Sequence, residues 1–382
     1  MIQEYNFFSS TYFIFGAGEF CKDIIEQLLE VAEVKGIIDN DSKKWGEKIE
    51  DIEVQSLEFW MDSIEPADTV ICCCNATNYK AIKEQCAEKG IRNCTWFMEY
   101  RDIPAFGDFM KKEYDERLVS RCCTQQDFFR DDFRKVENEL LGRNSSNYHR
   151  KTWEYTYITM ILEQAGMLTP GKKGIGFAVG QEPLPCYFAS KGCSILATDL
   201  GSESEQAGDW MKSDQNAGGD LKKLFFDYMC KEETFRENVS YANLDMNHIP
   251  ENIGEYDFCW SSCAIEHVGG LDLSKAFLKN MLKVLKPGGI AIHTTEFNLS
   301  SNVGTKEDGW SVIFRKQDME EYANWCMERG HKVELSFARG TEEGDLYVDV
   351  RPYGRVNPSF HLCLELHGYA STSFAIIVKK AE

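Results

Sequence analysis

The chain has 382 residues, 43% of them hydrophobic and 13% aromatic, which exceeds what one core accommodates and supplies enough apolar surface for two. Its formal net charge of -20 repels polyanions, and the densest basic pair, Lys111 and Lys112, is followed at once by Glu113, Asp115 and Glu116. Nucleic acid and anionic membrane surfaces are thereby excluded as expected partners, leaving a globular protein that acts on a small-molecule substrate.

The opening stretch, MIQEYNFFSSTYFIFGAG, has neither a basic n-region nor a small-residue cleavage site. No apolar run reaches bilayer-spanning length, so a cytoplasmic protein with no membrane partner is expected. The 15 cysteines lack paired C-x-x-C spacing, and Cys72, Cys73 and Cys74 are consecutive within an apolar run. They read as small buried hydrophobes of a reducing compartment, with no metal site expected.

Residues 11–38 read as strand, glycine turn, helix and strand: TYFIFGAG, then CKDIIEQLLEVAE with apolar spacing at Ile24, Ile25, Leu28 and Leu29, then VKGIID. DTVICCCN is a further buried strand, followed by a helix from Tyr79 to Lys89 and a short strand from Asn93 to Phe97. The order suits a small parallel sheet over residues 1–100. Gly16 and Gly18, with Asp39 about 20 residues beyond, have the spacing of a dinucleotide fingerprint, although Cys21 stands where its third glycine would be. Residues 101–150 lose strand signals and read as a helical connector.

From 151 onward the alternation returns. A helix at Trp153–Glu163 leads to strand KKGIGFAV, a helix, strand SILATDL, an insertion from Gly201 to Asn238, and strands VSYANLD and YDFCWSS. A helix and strand GGIAIHTT follow, then a helix at Asp318–Arg329 and strands near His331–Phe337 and Ser373–Lys379.

Four stations at strand ends carry the chemistry, because ligands of α/β folds bind there. GIGFAVGQEPLP, containing Gly176, Gly180 and Glu182, is a small-residue turn into a helix whose free N–H groups suit a carboxylate. ILATDL ends in Asp199 and Leu200, and a carboxylate there can accept both hydroxyls of a ribose diol. NLDMN offers Asp245 to an adenine amino group and Met246 to its ring. YDFCWSSCAIEHVGG, with Asp257, Ser262, Glu266 and His267, precedes the turn Leu285–Gly289 and the strand that carries His293 and Glu296.

Together these motifs resemble the class I S-adenosylmethionine-dependent methyltransferases of the type 11 kind, over residues 150–382. The resemblance implies two Rossmann-like α/β domains, the second with a seven-stranded sheet, and S-adenosylmethionine as cofactor. It places Gly176, Gly180 and Glu182 in the cofactor loop, Asp199 and Leu200 at the ribose, Asp245 and Met246 around the adenine, and Ser262 beside the methionine end. The family's G-x-G-x-G is here Ala178, Val179, Gly180, Gln181, Glu182. Glu182 either reaches the cofactor's ammonium group or belongs to a loop remodelled around Pro183 and Pro185.

A sulfonium methyl is already electrophilic, so alignment supplies much of the rate, and a base is needed only where the acceptor loses a proton. His267, His293 and Glu296 are the candidate catalytic residues, each with a structural role as the alternative. Trp210, Arg351 and Tyr353 are candidate acceptor-pocket residues on insertions. The front motif resembles the small Rossmann-like domains that precede transferases of sugar and polysaccharide pathways. It implies a nucleotide or nucleotide-linked sugar, or a scaffold, at Gly16, Gly18 and Asp39. Two other functions remain open at this stage, an NAD(P)-dependent oxidoreductase using the front domain and a non-catalytic scaffold. The oligomeric state is open too, a homodimer being one compatible form.

Overall fold

The computed structural model describes residues 11–29, 33–97, 104–142, 147–201, 219–309, 311–350, 353–354 and 357–382. The chain divides into two compact units, residues 1–103 with 349–358, and residues 104–348 with 359–382.

The first unit is built on a six-stranded sheet, order β3-β4-β2-β1-β5-β6, from β1 (Thr11–Phe15), β2 (Glu33–Ile38), β3 (Lys48–Ile49), β4 (Ile52–Gln55), β5 (Thr69–Cys72) and β6 (Cys94–Trp96). All pairs are parallel except the β3–β4 hairpin. The helices Glu19–Leu29 and Ala76–Glu88 complete the alternation expected from the sequence. Asn75 starts the second of them, its Oδ1 accepting from Asn78 N at 2.8 Å. The hairpin was not expected: its turn residues, Glu50 and Asp51, both take positive φ (48° and 64°) without the Asn-Gly chemistry that signals such a turn.

The second unit carries a nine-stranded sheet that includes the short β7 (Arg121–Cys122), and a separate pair formed by β8 (Tyr148–His149) with Phe360–His361. Its main run is β11 (Val239–Asn243), β10 (Ser194–Asp199), β9 (Lys173–Gly176), β12 (Tyr256–Ser262) and β13 (Leu285–Asn298), then the strands Tyr369–Lys379 and Cys363–Leu366. β9 to β13 are parallel, and Tyr369–Lys379 runs antiparallel to β13. Six of these seven strands were expected from the sequence and Cys363–Leu366 was not; short additions raise the number, among them Arg121–Cys122, which pairs with Phe374 and Ala375. Residues 104–150 are accordingly part of this unit, contributing that strand and the helix Asp131–Leu141, where a separate connector was expected. The strand expected at His331–Phe337 is reduced to isolated bridges, Leu335 with Ser120 and Lys332 with Lys379. The glycines of Leu285–Gly289 lie inside β13 as an irregularity, the register passing from Leu285 opposite Tyr256 to Ile290 opposite Phe258.

Packing explains the order. Gly176 has no room for a side chain, since a Cβ there would lie 2.5 Å from the Trp260 ring. That indole meets Phe188 edge-on at 5.0 Å, fixing the helix Leu184–Ser190 against β9 and β12. On the helix Arg150–Gln164, Trp153 stacks on Tyr157 at 4.5 Å, and both are fully buried. The strand order reverses at β9, whose neighbours are β10 and β12, and this switch point is where an open α/β sheet leaves a crevice. Among the described residues all 15 cysteines are free thiols, only Cys94 having appreciable exposure, and no helix is long and apolar enough to cross a membrane.

Candidate active site

The crevice at the switch point is a cavity of about 410 Å³. Its walls are the segments that follow four adjacent strands: 178–182 after β9, 199–200 at the end of β10, 244–247 after β11, and 262–268 from the end of β12. Lys151 and Tyr155 close it from the helix Arg150–Gln164.

Asp199 organises the rim. Its Oδ2 accepts from Gly180 N at 3.1 Å and its Oδ1 from Leu200 N at 2.8 Å, so β10 holds the loop after β9. Each oxygen keeps a second lone pair. Burial pushes the Asp199 carboxyl up to about 6, against the two N–H donors that favour its ionised form. Leu244 N donates to the Asp199 carbonyl at 2.8 Å, which sets the next wall. There Asp245 accepts from Asn247 N at 2.8 Å and contacts His248 Nδ1 at 2.7 Å, while Met246 is buried against the cavity.

Glu182 is buried too, with its Oε1 accepting from Trp260 Nε1 at 2.6 Å. The glycine loop is therefore remodelled by a side chain that turns to the indole, and Pro183 and Pro185 do not line the space. Ala178 takes φ +49°, the left-handed conformation that the family's glycine would adopt without cost. Burial raises Glu182 to about 8. Since its folded value lies above the ordinary 4.5, the stability of the protonated form is complete below that value and is lost as pH rises through about 8. Glu182→Gln keeps an acceptor for Trp260 and removes this dependence. Its melting temperature should gain on wild type between pH 5 and pH 9 by a few degrees, and parallel pH profiles for the two proteins would contradict the assignment.

The candidate catalytic residues separate. His267 lines the cavity, with Nε2 at 3.8 Å from Glu266 Oε1. His293 does not: it is fully buried, its Nδ1 is 2.7 Å from Ser261 Oγ, and its ring lies 5.5 Å from that of Phe277. Burial drops it to about 3, so it stays neutral and packs the strand where a base was expected. Glu296 is likewise away from the lining, tied to Arg150 and accepting from Ser371 Oγ at 2.8 Å. Gly176 serves packing and does not line the cavity, whereas Gly180, Glu182, Asp199, Leu200, Asp245, Met246 and Ser262 all do. Trp210 and Arg351 lie outside the described residues, and Tyr353 falls in the first unit.

Lys151, Tyr155, Asn247 and Cys263 also line the cavity and were not anticipated. Lys151 and Tyr155 stand four apart on one helix face, a spacing that brings them together but does not reveal which rim they meet. Lys151 Nζ reaches Glu154 Oε2 and the Ser262 carbonyl, both at 3.0 Å. Glu154 is completely buried; burial would raise it, yet Lys151 and Arg150 hold it down at about 2. It also accepts from Ser262 Oγ at 2.7 Å and Ser373 Oγ at 2.6 Å.

In the first unit, Gly16 takes φ +114°, and a Cβ there would meet the Cys73 carbonyl at 2.5 Å. Asp39 accepts from Ala17 N at 2.7 Å, Asp41 N at 2.8 Å and Lys44 Nζ at 2.9 Å. The acidic residue of the fingerprint thus braces its own glycine turn.

Residues 177–293 match the sequence model of a family described as methyltransferase domain, and this span contains the cavity walls after β9, β10, β11 and β12. That span is similar in sequence to a methyltransferase domain. No curated protein matches the chain. Similar solved structures include the E. coli protein YjhP, 16% identical over 44% of this chain with a TM-score of 0.27, of whose length the chain spans 56%. A putative sarcosine dimethylglycine methyltransferase from Galdieria sulphuraria is 14% identical over 66% of this chain and 99% of its own, TM-score 0.37. The magnesium protoporphyrin IX methyltransferase of Synechocystis, solved with bound SAH, is 9% identical over 67% and 97%, TM-score 0.37.

The residues lining the cavity fit S-adenosylmethionine, the cofactor that the sequence motifs imply. The cavity's volume lies within the roughly 300–1,000 Å³ of small-molecule pockets. Asp199 offers a diol two acceptors on a rigid strand end, and Leu200, Leu244, Met246 and Val268 supply apolar surface for a base. Ser262, Lys151 and Tyr155 remain for the amino-acid end.

Proposed function

We propose that this protein transfers the methyl group of S-adenosylmethionine to an oxygen or nitrogen of a small acceptor, a sugar or nucleotide-linked sugar being the favoured class. The observation that carries this reading is the cavity itself: with Glu182 folded onto Trp260, the space flanked by Asp199 and Asp245 continues past Ser262 to His267. S-adenosylmethionine supplies an activated methyl on a sulfonium centre. The chain's own residues hold and align. Asp199, Leu200, Asp245 and Met246 grip the adenosyl end, and the wall 262–268 faces what lies beyond it. His267 is the one candidate base on that wall, placed to take a proton from an acceptor hydroxyl or ammonium group.

The acidic surface supports a small acceptor over a nucleic acid, since a charge of -20 opposes polyanion approach. The braced Asp39 speaks against a dinucleotide-dependent oxidoreductase centred on the first unit. The test supplies methyl-labelled S-adenosylmethionine with a panel of sugars and nucleotide-linked sugars and follows label into product. Calorimetric titration of folded protein with the cofactor comes first, and absence of binding at millimolar concentration overturns the reading.

A further inference from the structure

Behind the wall that faces the acceptor lies a polar cluster that cofactor binding does not use. Cys263 lines the cavity, and Glu266 and Glu296 stand behind it. The thiol sulfur and one carboxylate oxygen from each glutamate lie within 4.8 Å of one another, and all three residues are buried. Two of the three buried carboxylates of this region are answered. Glu154 has Lys151, and Glu296 has Arg150 on one oxygen and Ser371 Oγ on the other at 2.8 Å.

Glu266 differs. Thr295 Oγ1 donates to its Oε2 at 3.1 Å, but Oε1 makes no hydrogen bond, although the residue is completely buried. A buried acceptor left without a donor is disfavoured, and a cation bound beside it would satisfy it. The Cys263 backbone sits at φ +44°, uncommon for a side-chain-bearing residue, and its thiol donates to Glu154 Oε1 at 3.0 Å.

We propose that Cys263, Glu266 and Glu296 bind one divalent metal ion of the zinc class at the acceptor end of the cavity. Charge is compatible with it: Arg150 and Lys151 balance Glu296 and Glu154, burial and the neighbouring Glu296 favour the protonated form of Glu266, and a divalent cation would be matched by Cys263 and Glu266 as both ionise, the Glu266 proton passing to solvent. The Cys263 thiol proton passes to solvent as the metal–sulfur bond forms. A thiolate with two carboxylates suits zinc, whereas magnesium selects oxygen ligands alone. Three protein ligands leave one coordination position free for a further ligand, and Cys263 is the one of the three that lines the cavity. An acceptor hydroxyl taking that position would ionise more readily. This assigns the acceptor as an oxygen nucleophile and rests on the methyl-transfer reading for its role; ion binding itself requires no cofactor.

The test dialyses chelator-treated full-length protein against zinc alone and, separately, against cobalt(II) alone. The expected result is one equivalent of zinc, and with cobalt a near-ultraviolet thiolate charge-transfer band. Cys263→Ser should abolish the band, and Glu266→Gln should weaken zinc binding by at least about 100-fold. Cys94→Ser, in the first unit, should change neither. Should a variant fail to fold, zinc-edge absorption on the wild type decides, with one sulfur and otherwise oxygen neighbours expected. No bound zinc, a sulfur-rich shell, or binding unaltered in folded Cys263→Ser and Glu266→Gln overturns the site. Titration with S-adenosylhomocysteine is run beside these: protein that takes zinc but not this ligand keeps the metal site and loses the methyl-transfer reading.

Discussion

Asp199→Ala is expected to weaken binding of S-adenosylhomocysteine by roughly 100-fold or more, read by calorimetry on protein that melts as a folded species. Two hydrogen bonds from a ribose diol to a carboxylate contribute about 1.5 kcal/mol or more each, and their joint loss gives that factor. The variant also releases Gly180 N and Leu200 N, which now hold the loop in place through the same carboxylate. Asp199→Asn separates the two effects, because it keeps one acceptor oxygen on the same strand end and should fall between alanine and wild type. The pH dependence follows from burial, which lifts Asp199 from 3.8 to about 6. A protonated carboxyl loses acceptor capacity, so affinity should decline as pH falls below about 6 in wild type and stay flat in Asp199→Ala. Stability of the ligand-free protein moves oppositely: with the folded value above the unfolded one, the contribution of the protonated form is complete below about 4 and lost as pH rises through about 6. Equal affinity of wild type and Asp199→Ala would remove Asp199 from the site.

The parts of this site that are legible in the sequence share one property, namely that each ends a short apolar strand. SILATD and YDFCWSS are bounded by loops and become β10 and β12, so Asp199 and Ser262 reach the rim by counting alone. What escapes depends on direction and on partners distant in sequence. His293 follows an apolar run just as Ser262 does, but its ring packs with Phe177 and Phe277 and never reaches the cavity. The role of Glu182 could not be settled without knowing that Trp260, 78 positions on, offers it an N–H. Lys151 and Tyr155 look like one face of an ordinary helix until the sheet shows which face is turned to the crevice. In the first unit the β3–β4 hairpin escapes because Glu50 and Asp51 make its turn without glycine or asparagine.

Residues 104–150 are the largest such omission, and the reason is a buried ion pair that no periodicity announces. Arg121 and Asp127 are at most 1% exposed and meet through two hydrogen bonds, Nη1 to Oδ2 at 2.8 Å and Nη2 to Oδ1 at 2.6 Å. Trp153 Nε1 at 2.7 Å, Tyr114 Oη at 3.0 Å and Thr124 Oγ1 at 3.0 Å complete the carboxylate's partners. One side chain thereby ties the segment around Arg121–Cys122, which joins the sheet, to the helix Arg150–Gln164, which closes the cavity. Asp127→Ala leaves a guanidinium buried without a counter-charge and an indole N–H without an acceptor, a loss of about 3–5 kcal/mol. A lowering of the melting temperature by roughly 10 °C is expected. Replacing both partners, Arg121→Met with Asp127→Leu, should recover part of that loss, because the cost lies in the stranded charge more than in the missing attraction. If Asp127→Ala melted within a degree of wild type, the pair would not be what anchors this segment to the sheet.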